Sequence, residues 1–317
     1  MISKTKESLV CIVIVNWNGE KIIFNCLNSL KKTYYKNLKV VVIDNGSSDG
    51  SLEIIKKFKK FELITLEKNI GYAPAINLGW NYCLKKHSPK YICNVNNDII
   101  IVQKGWLSSM VDELEKEKSR GICSNKTISK EGLLETQTFD KKRKNVLEKD
   151  KGQYDFVEEV ETVGGTIFMV KRNVIDKIGG LDENFFFGPD DIDYCLRAKQ
   201  AGFKIIYDGF SKAIHLGSFS YKASDKDDIY KYQSYGKLLC SFRYDNFLGK
   251  MKMIFAQFTR IFVTKKDSLN GDSFSNLFFH KRFPIRSFIF LDSFFGATRN
   301  YKKIKQDYFL GEINGEN

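Results

Sequence analysis

The sequence predicts an α/β fold built on a mostly parallel sheet flanked by helices, and three observations carry that prediction. Short apolar runs alternate with amphipathic stretches from the N-terminus onward. The runs are continuously apolar rather than alternating, as strands covered on both faces are. Polar clusters follow the runs directly, at the strand ends where open α/β sheets bind ligands.

Residues 9–15 read as the first buried strand, 20–31 as a helix and the valine-rich 39–43 as the second strand. Residues 52–58 predict a helix, 61–66 a strand and 73–86 a helix. A fourth strand over 91–95 ends in Asn96-Asn97-Asp98. Residues 125–151 are polar and without periodicity, so they predict a surface excursion. Residues 162–170 are apolar and β-branched, as in another buried strand. An aromatic stretch at 185–187 leads through Gly188 and Pro189 into a helix over 190–201. Gly202 stops that helix, and 203–207 predict a strand, with His215 beyond it and its turn.

The last quarter differs. Residues 241–305 carry 13 Lys/Arg against 4 Asp, a net charge of +9. Phe247, Met251, Ile254, Phe255, Phe258, Ile261 and Phe262 recur there at helical spacing, with Lys250, Gln257 and Arg260 elsewhere on the wheel. Such a stripe suits packing on the rest of the chain, a homodimer contact, or a membrane surface with anionic headgroups. The chain therefore divides into an α/β domain over 1–220 and a helical, basic and aromatic region over 221–317.

Composition bounds the function. With 317 residues, 43% hydrophobic and 28% charged, the chain is neither disordered nor collagen-like. A formal net charge of +13 favours polyanionic partners, whether nucleic acid, acidic lipid or a phosphorylated small molecule. The seven cysteines form no C-x-x-C pair and several lie in apolar runs. They read as buried free thiols of a reducing, cytoplasmic compartment and not as a metal cluster. The first apolar run is too short for a secretory or membrane segment, so at most a peripheral contact with the inner membrane face is expected.

Candidate chemistry clusters after the strands. Asp44 ends the second strand, where an ionised carboxylate accepts hydrogen bonds from a ribose or base edge. Ser47, Ser48 and Asp49 suit a turn and a cap. Neither G-x-G-x-x-G nor G-x-x-x-x-G-K-[ST] occurs, so dinucleotide and P-loop readings lack their phosphate cradle. Asp98 ends the fourth strand. One such carboxylate can hold Mg²⁺ or Mn²⁺ when substrate phosphates complete the shell. Asp190, Asp191 and Asp193 exceed what a helix start requires, and a general base is one use for them. Asp193 and Arg197 stand at i,i+4 and can pair. His215, in an apolar stretch, suits either a core histidine or a ligand. His87 and His280 lie in polar or basic surroundings.

Ordered together, these segments resemble the family 2 glycosyltransferases of GT-A fold, a Rossmann-like architecture, and in particular their rhamnosyltransferase-like branch. The segments are Asn16-Trp17-Asn18-Gly19, Asp44-Asn45-Gly46-Ser47-Ser48-Asp49-Gly50, the 69–79 stretch with Gly71 and Asn77, and Asn96-Asn97-Asp98. Gly164-Gly165-Thr166, Ile178-Gly179-Gly180-Leu181-Asp182-Glu183, the 190–197 segment and His215 follow. The resemblance covers about residues 9–220. It implies transfer of a hexosyl group, with inversion, from a nucleoside diphosphate sugar to an acceptor hydroxyl. Asn16, Asp44 and Asn97 would bind the nucleotide, with Gly71 and Asn77 in the loop against it. Asp98 and His215 would hold Mn²⁺ or Mg²⁺, and Asp191 would be the catalytic base. Asp190 and Trp17 would meet the acceptor, although Asp190 stands where the family's motif usually has Glu. The favoured donor is dTDP-rhamnose and the acceptor a lipid-linked or polysaccharide hydroxyl in cell-surface polysaccharide synthesis. The alternatives are a UDP-hexose donor or a catalytically silent nucleotide-sugar binder. No nucleic-acid motif accompanies the charge, so nucleic acid is not an expected partner.

Overall fold

A computed structural model describes residues 7–135, 148–217, 226–259 and 283–310. The first half holds β1 (Val10–Asn16), α1 (Ile23–Leu30), β2 (Leu38–Asp44), α2 (Ser51–Lys56), β3 (Glu62–Thr65), α3 (Tyr72–His87) and β4 (Tyr91–Val95). These four strands lie in the order β3-β2-β1-β4, all parallel. Each is joined to the next through a helix, as right-handed crossovers require.

The reason lies in β1. Its seven residues are all buried, because each face has its own core. Val10, Ile12 and Ile14 meet Leu27 of α1, whereas Cys11, Val13 and Val15 join the core of Ala73, Ile76 and Trp80 of α3. A strand covered twice has no polar side to show, which is why it reads as an unbroken apolar run.

The second half is mixed. β5 (Ile99–Ile101), α4 (Trp106–Glu115), β6 (Arg120–Ser129), β7 (Val157–Val160), β8 (Ile167–Lys171), α5 (Arg172–Ile178), α6 (Asp190–Gln200) and β9 (Lys204–His215) extend the sheet. Among the described residues its order is β3-β2-β1-β4-β8-β6-β9-β5, with β7 also beside β9. β8 runs antiparallel to β4 and β6, and β5 antiparallel to β9. The strand expected over 162–170 is therefore shorter and shifted, at 167–171.

Two expectations need correction here. The polar stretch from 125 is not all surface excursion, because β6 continues to Ser129 with Asn125, Lys126 and Thr127 buried. Lys126 is 1% exposed and ion-paired to Asp150, at 2.9 Å, and to Asp155, while Asp150 also pairs with Lys212. Polar composition hid a buried charge network. Residues 136–147 of that stretch lie outside the described residues. The strand expected to end at 207 runs to His215, which is the last residue of β9 rather than a loop residue.

The C-terminal region supplies α7 (Lys226–Tyr244), α8 (Phe247–Thr259), α9 (Phe283–Asn300) and α10 (Asp307–Leu310). The helix expected over 247–263 is described to Thr259, so Ile261 and Phe262 fall outside the described residues. Arg243 of α7 reaches into the α/β layer and pairs with Asp182 at 2.6 Å and Asp193 at 2.7 Å, both carboxylates fully buried. Gly236 lets α7 approach: a Cβ there would sit 2.4 Å from the Gly188 carbonyl oxygen. Phe185 packs with Leu238, Leu239 and Phe242 of α7 and with Ala297 of α9. All seven cysteines are free, six of them buried.

Candidate active site

A cleft of about 700 Å³ opens beyond the carboxyl ends of β1 and β4. Trp17, Asn97, Asp98, Asp190, Asp191 and His215 all line it. These six come from four stretches of sequence that the sheet brings together.

Asp98 and His215 meet because β5 and β9 pair antiparallel with Ile99 opposite His215. The backbone N–H of Leu216 donates to the Asp98 carbonyl at 2.9 Å and fixes that register. The His215 Nε2 lies 3.0 Å from Asp98 Oδ2, and its Nδ1 lies 2.7 Å from Glu135 Oε2. Burial alone would lower the imidazole, but hydrogen bonds and charge from Asp98 and Glu135 raise it to about 10. Asp98 Oδ1 is buried and without a hydrogen-bond partner. The orphaned carboxylate oxygen fits a hard divalent cation, and the imidazole can join it as a ligand once a bound cation displaces its proton. Among the described residues no group of three or more His, Cys, Asp or Glu side chains converges as a metal cluster.

Asp190 and Asp191 open α6. Asp191 Oδ2 accepts the Gly165 N–H at 2.6 Å and its Oδ1 accepts the Ile192 N–H at 2.8 Å. Two fixed donors aim the carboxylate, and lone pairs remain for a third proton. Burial pushes Asp191 above the ordinary carboxylate range against the pull of those backbone bonds. Burial and then the Asp191 charge push Asp190 up to about 8. Asp193 points away from the cleft: its Oδ2 takes the Arg197 Nε at 2.8 Å, and its Oδ1 takes Arg243 and the Tyr244 hydroxyl at 2.7 Å each. The expected i,i+4 pair is therefore present and structural.

The remaining site candidates stand behind the cleft wall. Asn16 is fully buried, and its Nδ2 lies 3.0 Å from Asp44 Oδ1, 3.2 Å from Ser47 Oγ and 3.0 Å from Ser51 Oγ. Asn97 in turn donates to Asn16 Oδ1 at 3.0 Å. Asp44 also accepts the Ser47 hydroxyl at 2.7 Å. This network ties the ends of β1, β2 and β4 together, with Asn97 at its open end. Asn77 does not line the cleft. It is fully buried, and its amide donates to the Leu181 carbonyl and Glu183 while its Oδ1 accepts the Leu181 N–H. Gly71 does not line it either. It has φ +98°, and a Cβ there would sit 2.9 Å from the Phe186 ring, so its bareness lets Phe186 close over the loop.

Several lining residues escaped the sequence reading. Tyr72 donates to Asn96 Oδ1 at 3.1 Å and its backbone N–H to the Phe186 carbonyl at 2.9 Å. Phe186 stacks on Tyr232 of α7 at 4.3 Å between centroids and 19° between planes. Asp228 and Tyr232 bring α7 into the cleft, and Glu135 supports His215. The density of tyrosines at 230, 232 and 235 was the available signal for α7. Glu135 carried none, since it lies inside a polar stretch.

A family model described as glycosyl transferase family 2 matches residues 11–179. The dTDP-rhamnosyl transferase RfbF of Shigella flexneri is 28% identical over 230 residues, covering 68% of this chain and 72% of that protein. The poly-β-1,6-N-acetyl-D-glucosamine synthase of Staphylococcus epidermidis is 24% identical over 178 residues, 55% of this chain and 42% of that protein. Among solved structures, the mannosyltransferase PcManGT of Pyrobaculum calidifontis, in complex with GDP-Man and Mn²⁺, superposes with a TM-score of 0.55 at 12% identity. That match covers 94% of this chain and 88% of the other. S. aureus TarS 1-349 in complex with UDP gives 0.51 at 16% identity, covering 93% and 91%. At these identities the structural likeness is one of fold.

Proposed function

The chain belongs to glycosyl transferase family 2, and from that membership we propose that its cleft transfers a sugar, with inversion, from a nucleoside diphosphate to an acceptor hydroxyl. The observation that carries this reading is the meeting of Asp98, Asp191 and His215 along one cleft, although they stand far apart in the sequence. The favoured donor is dTDP-rhamnose, supported by the similarity to RfbF. The favoured acceptor is a hydroxyl of a lipid-linked or polysaccharide chain.

In this reading Asp191 takes the proton of the acceptor hydroxyl as the oxygen forms its bond to the anomeric carbon. The bond from that carbon to the diphosphate breaks on the opposite face, and the diphosphate leaves as an anion that needs no protonation. The Gly165 and Ile192 N–H groups hold the base in position. The network of Asn16, Asp44 and Asn97 orders the strand ends against the nucleotide, while Trp17, Asp190 and the aromatic pair Phe186–Tyr232 face the acceptor side. Asp98 and His215 would hold Mn²⁺ or Mg²⁺. When bound, such a cation offsets the charge developing on the departing diphosphate.

Asp191→Asn tests the central assignment. It should abolish transfer while leaving nucleotide affinity within a few fold, because it removes only the proton acceptor. Wild-type turnover by that variant would refute the base. The same assay on the wild-type chain, run with dTDP-rhamnose and with UDP-hexoses, decides the donor: turnover of UDP-sugars alone sinks the rhamnose assignment.

A further inference from the structure

Helices α8 and α9 carry large apolar side chains on their outward as well as their inward sides. On α8, Met253 and Ile254 pack on the core beside α7, and Gln257 is buried against Tyr230 and Ser234 of α7. Its outward side carries Phe247, Met251 and Phe255. On α9, Ile289, Phe290 and Ala297 are buried, whereas Ile285, Phe288 and Phe295 face outward. These six outward side chains are between 47% and 79% exposed. Steps of four on α8, and of three and seven on α9, set each trio along one helix face. Large apolar side chains grouped this way on a surface mark a face that meets something other than water.

Charge identifies the occupant. Lys252 on α8, Arg299 in the last turn of α9, and Lys302, Lys303 and Lys305 in the segment beyond it are exposed. Asp292 is the exposed acid beside Phe288 and Phe295 on α9. A second copy docked through the same patch would bring two like basic sets together, because a two-fold interface joins a surface to itself. An anionic bilayer accommodates both features at once. Aromatic and aliphatic side chains enter the boundary between headgroups and acyl chains, and the cations meet acidic headgroups. Among the described residues no helix is long and apolar enough to cross a membrane, so the contact is interfacial.

We infer that the outward faces of α8 and α9 seat this protein on an anionic lipid bilayer. Because α7 packs on both helices and carries Asp228 and Tyr232 in the cleft, the seated face and the cleft are one helix apart. That short distance suits an acceptor held in the bilayer, a step that rests on the transferase reading; the lipid contact itself does not.

Sedimentation of the full chain with vesicles tests the contact, using phosphatidylcholine alone and phosphatidylcholine mixed with phosphatidylglycerol. Most of the protein should pellet with the anionic vesicles at low salt, and the bound fraction should fall as salt screens the lysines. The double variant Phe255→Glu, Phe288→Glu should bind the anionic vesicles at least roughly tenfold more weakly, with its melting temperature and nucleotide affinity unchanged. Equal binding of wild type to neutral and anionic vesicles, or binding to neither, overturns the inference. So does a wild-type dimer that the variant converts to a monomer, since a second copy then covers the face. If the variant does not fold, the lipid and salt dependence of the wild-type chain still decides. Calorimetric titration with dTDP and UDP, run on the same preparation, separates failure of the lipid contact from failure of the transferase reading.

Discussion

At the scale of single residues, the pair at the start of α6 divides the labour that two adjacent carboxylates can perform. Asp191 faces the cleft with two backbone N–H donors on its oxygens, which favour its ionised form. Asp190 is buried, and its neighbour's charge adds to the desolvation that raises it to about 8. Burial raises both carboxyls, and the neighbour's charge adds to the rise at Asp190, which makes Asp190 the one of the two suited to hold a proton at neutral pH. The sign of the linked stability follows. Asp190 keeps its proton in the folded chain between its ordinary value of 3.8 and about 8, whereas the unfolded chain has released it. Its contribution to stability therefore declines as pH rises through that window. Asp190→Asn, neutral at every pH, should flatten the decline, read from thermal midpoints of the two proteins at a series of pH values. Parallel profiles would show that Asp190 is already ionised at the bottom of the window.

At the scale of elements, α7 does for the site what no motif announced. Its Arg243 neutralises Asp182 and Asp193, which are fully buried, and also donates to the Tyr301 and Lys303 carbonyls at 2.9 and 2.7 Å. Removing one partner of a buried ion pair leaves the other uncompensated, at a cost of about 3–5 kcal/mol. Arg243→Ala should therefore lower the stability measured by urea unfolding by about that amount, with Asp193 partly rescued by Arg197. An unchanged midpoint would mean that water reaches these carboxylates. The parallel half of the fold was legible, because a strand buried on both faces must be apolar throughout and its crossover helix must be amphipathic. Asp98, at a strand end, was legible for the same topological reason, and Asp191 through the crowding of three carboxylates in the first turn of α6. The pairing of Asp98 with His215 was not. It depends on the antiparallel register of β5 and β9, and a three-residue strand leaves too little periodicity to read. Lys126 shows the opposite failure, since a lysine buried between Asp150 and Asp155 has the composition of a surface loop. Asn77 has the residue type of a nucleotide contact, but its amide holds the turn at Leu181.

At the scale of the whole molecule, buried contacts cross the division of the sequence at about residue 220. Phe185, in the stretch that leads to α6, is 1% exposed because Leu238, Leu239 and Phe242 cover it. The cleft has one wall of strand ends and another that includes Asp228 and Tyr232. Each side leaves the other with buried charge or apolar surface in water if the two separate, and both are unfavourable. The expected consequence is one cooperative unfolding unit. Scanning calorimetry of the full chain should give a single transition whose calorimetric and van't Hoff enthalpies agree. At about 0.7 kcal/mol per residue, the enthalpy should be about 220 kcal/mol near 60 °C. Arg243→Ala should move that whole transition down in temperature rather than split off a smaller one. Two resolved transitions, the lesser with about a third of the enthalpy, would mean that the C-terminal helices fold apart from the sheet. The cleft's aromatic wall would then be a docked module and not part of the catalytic core.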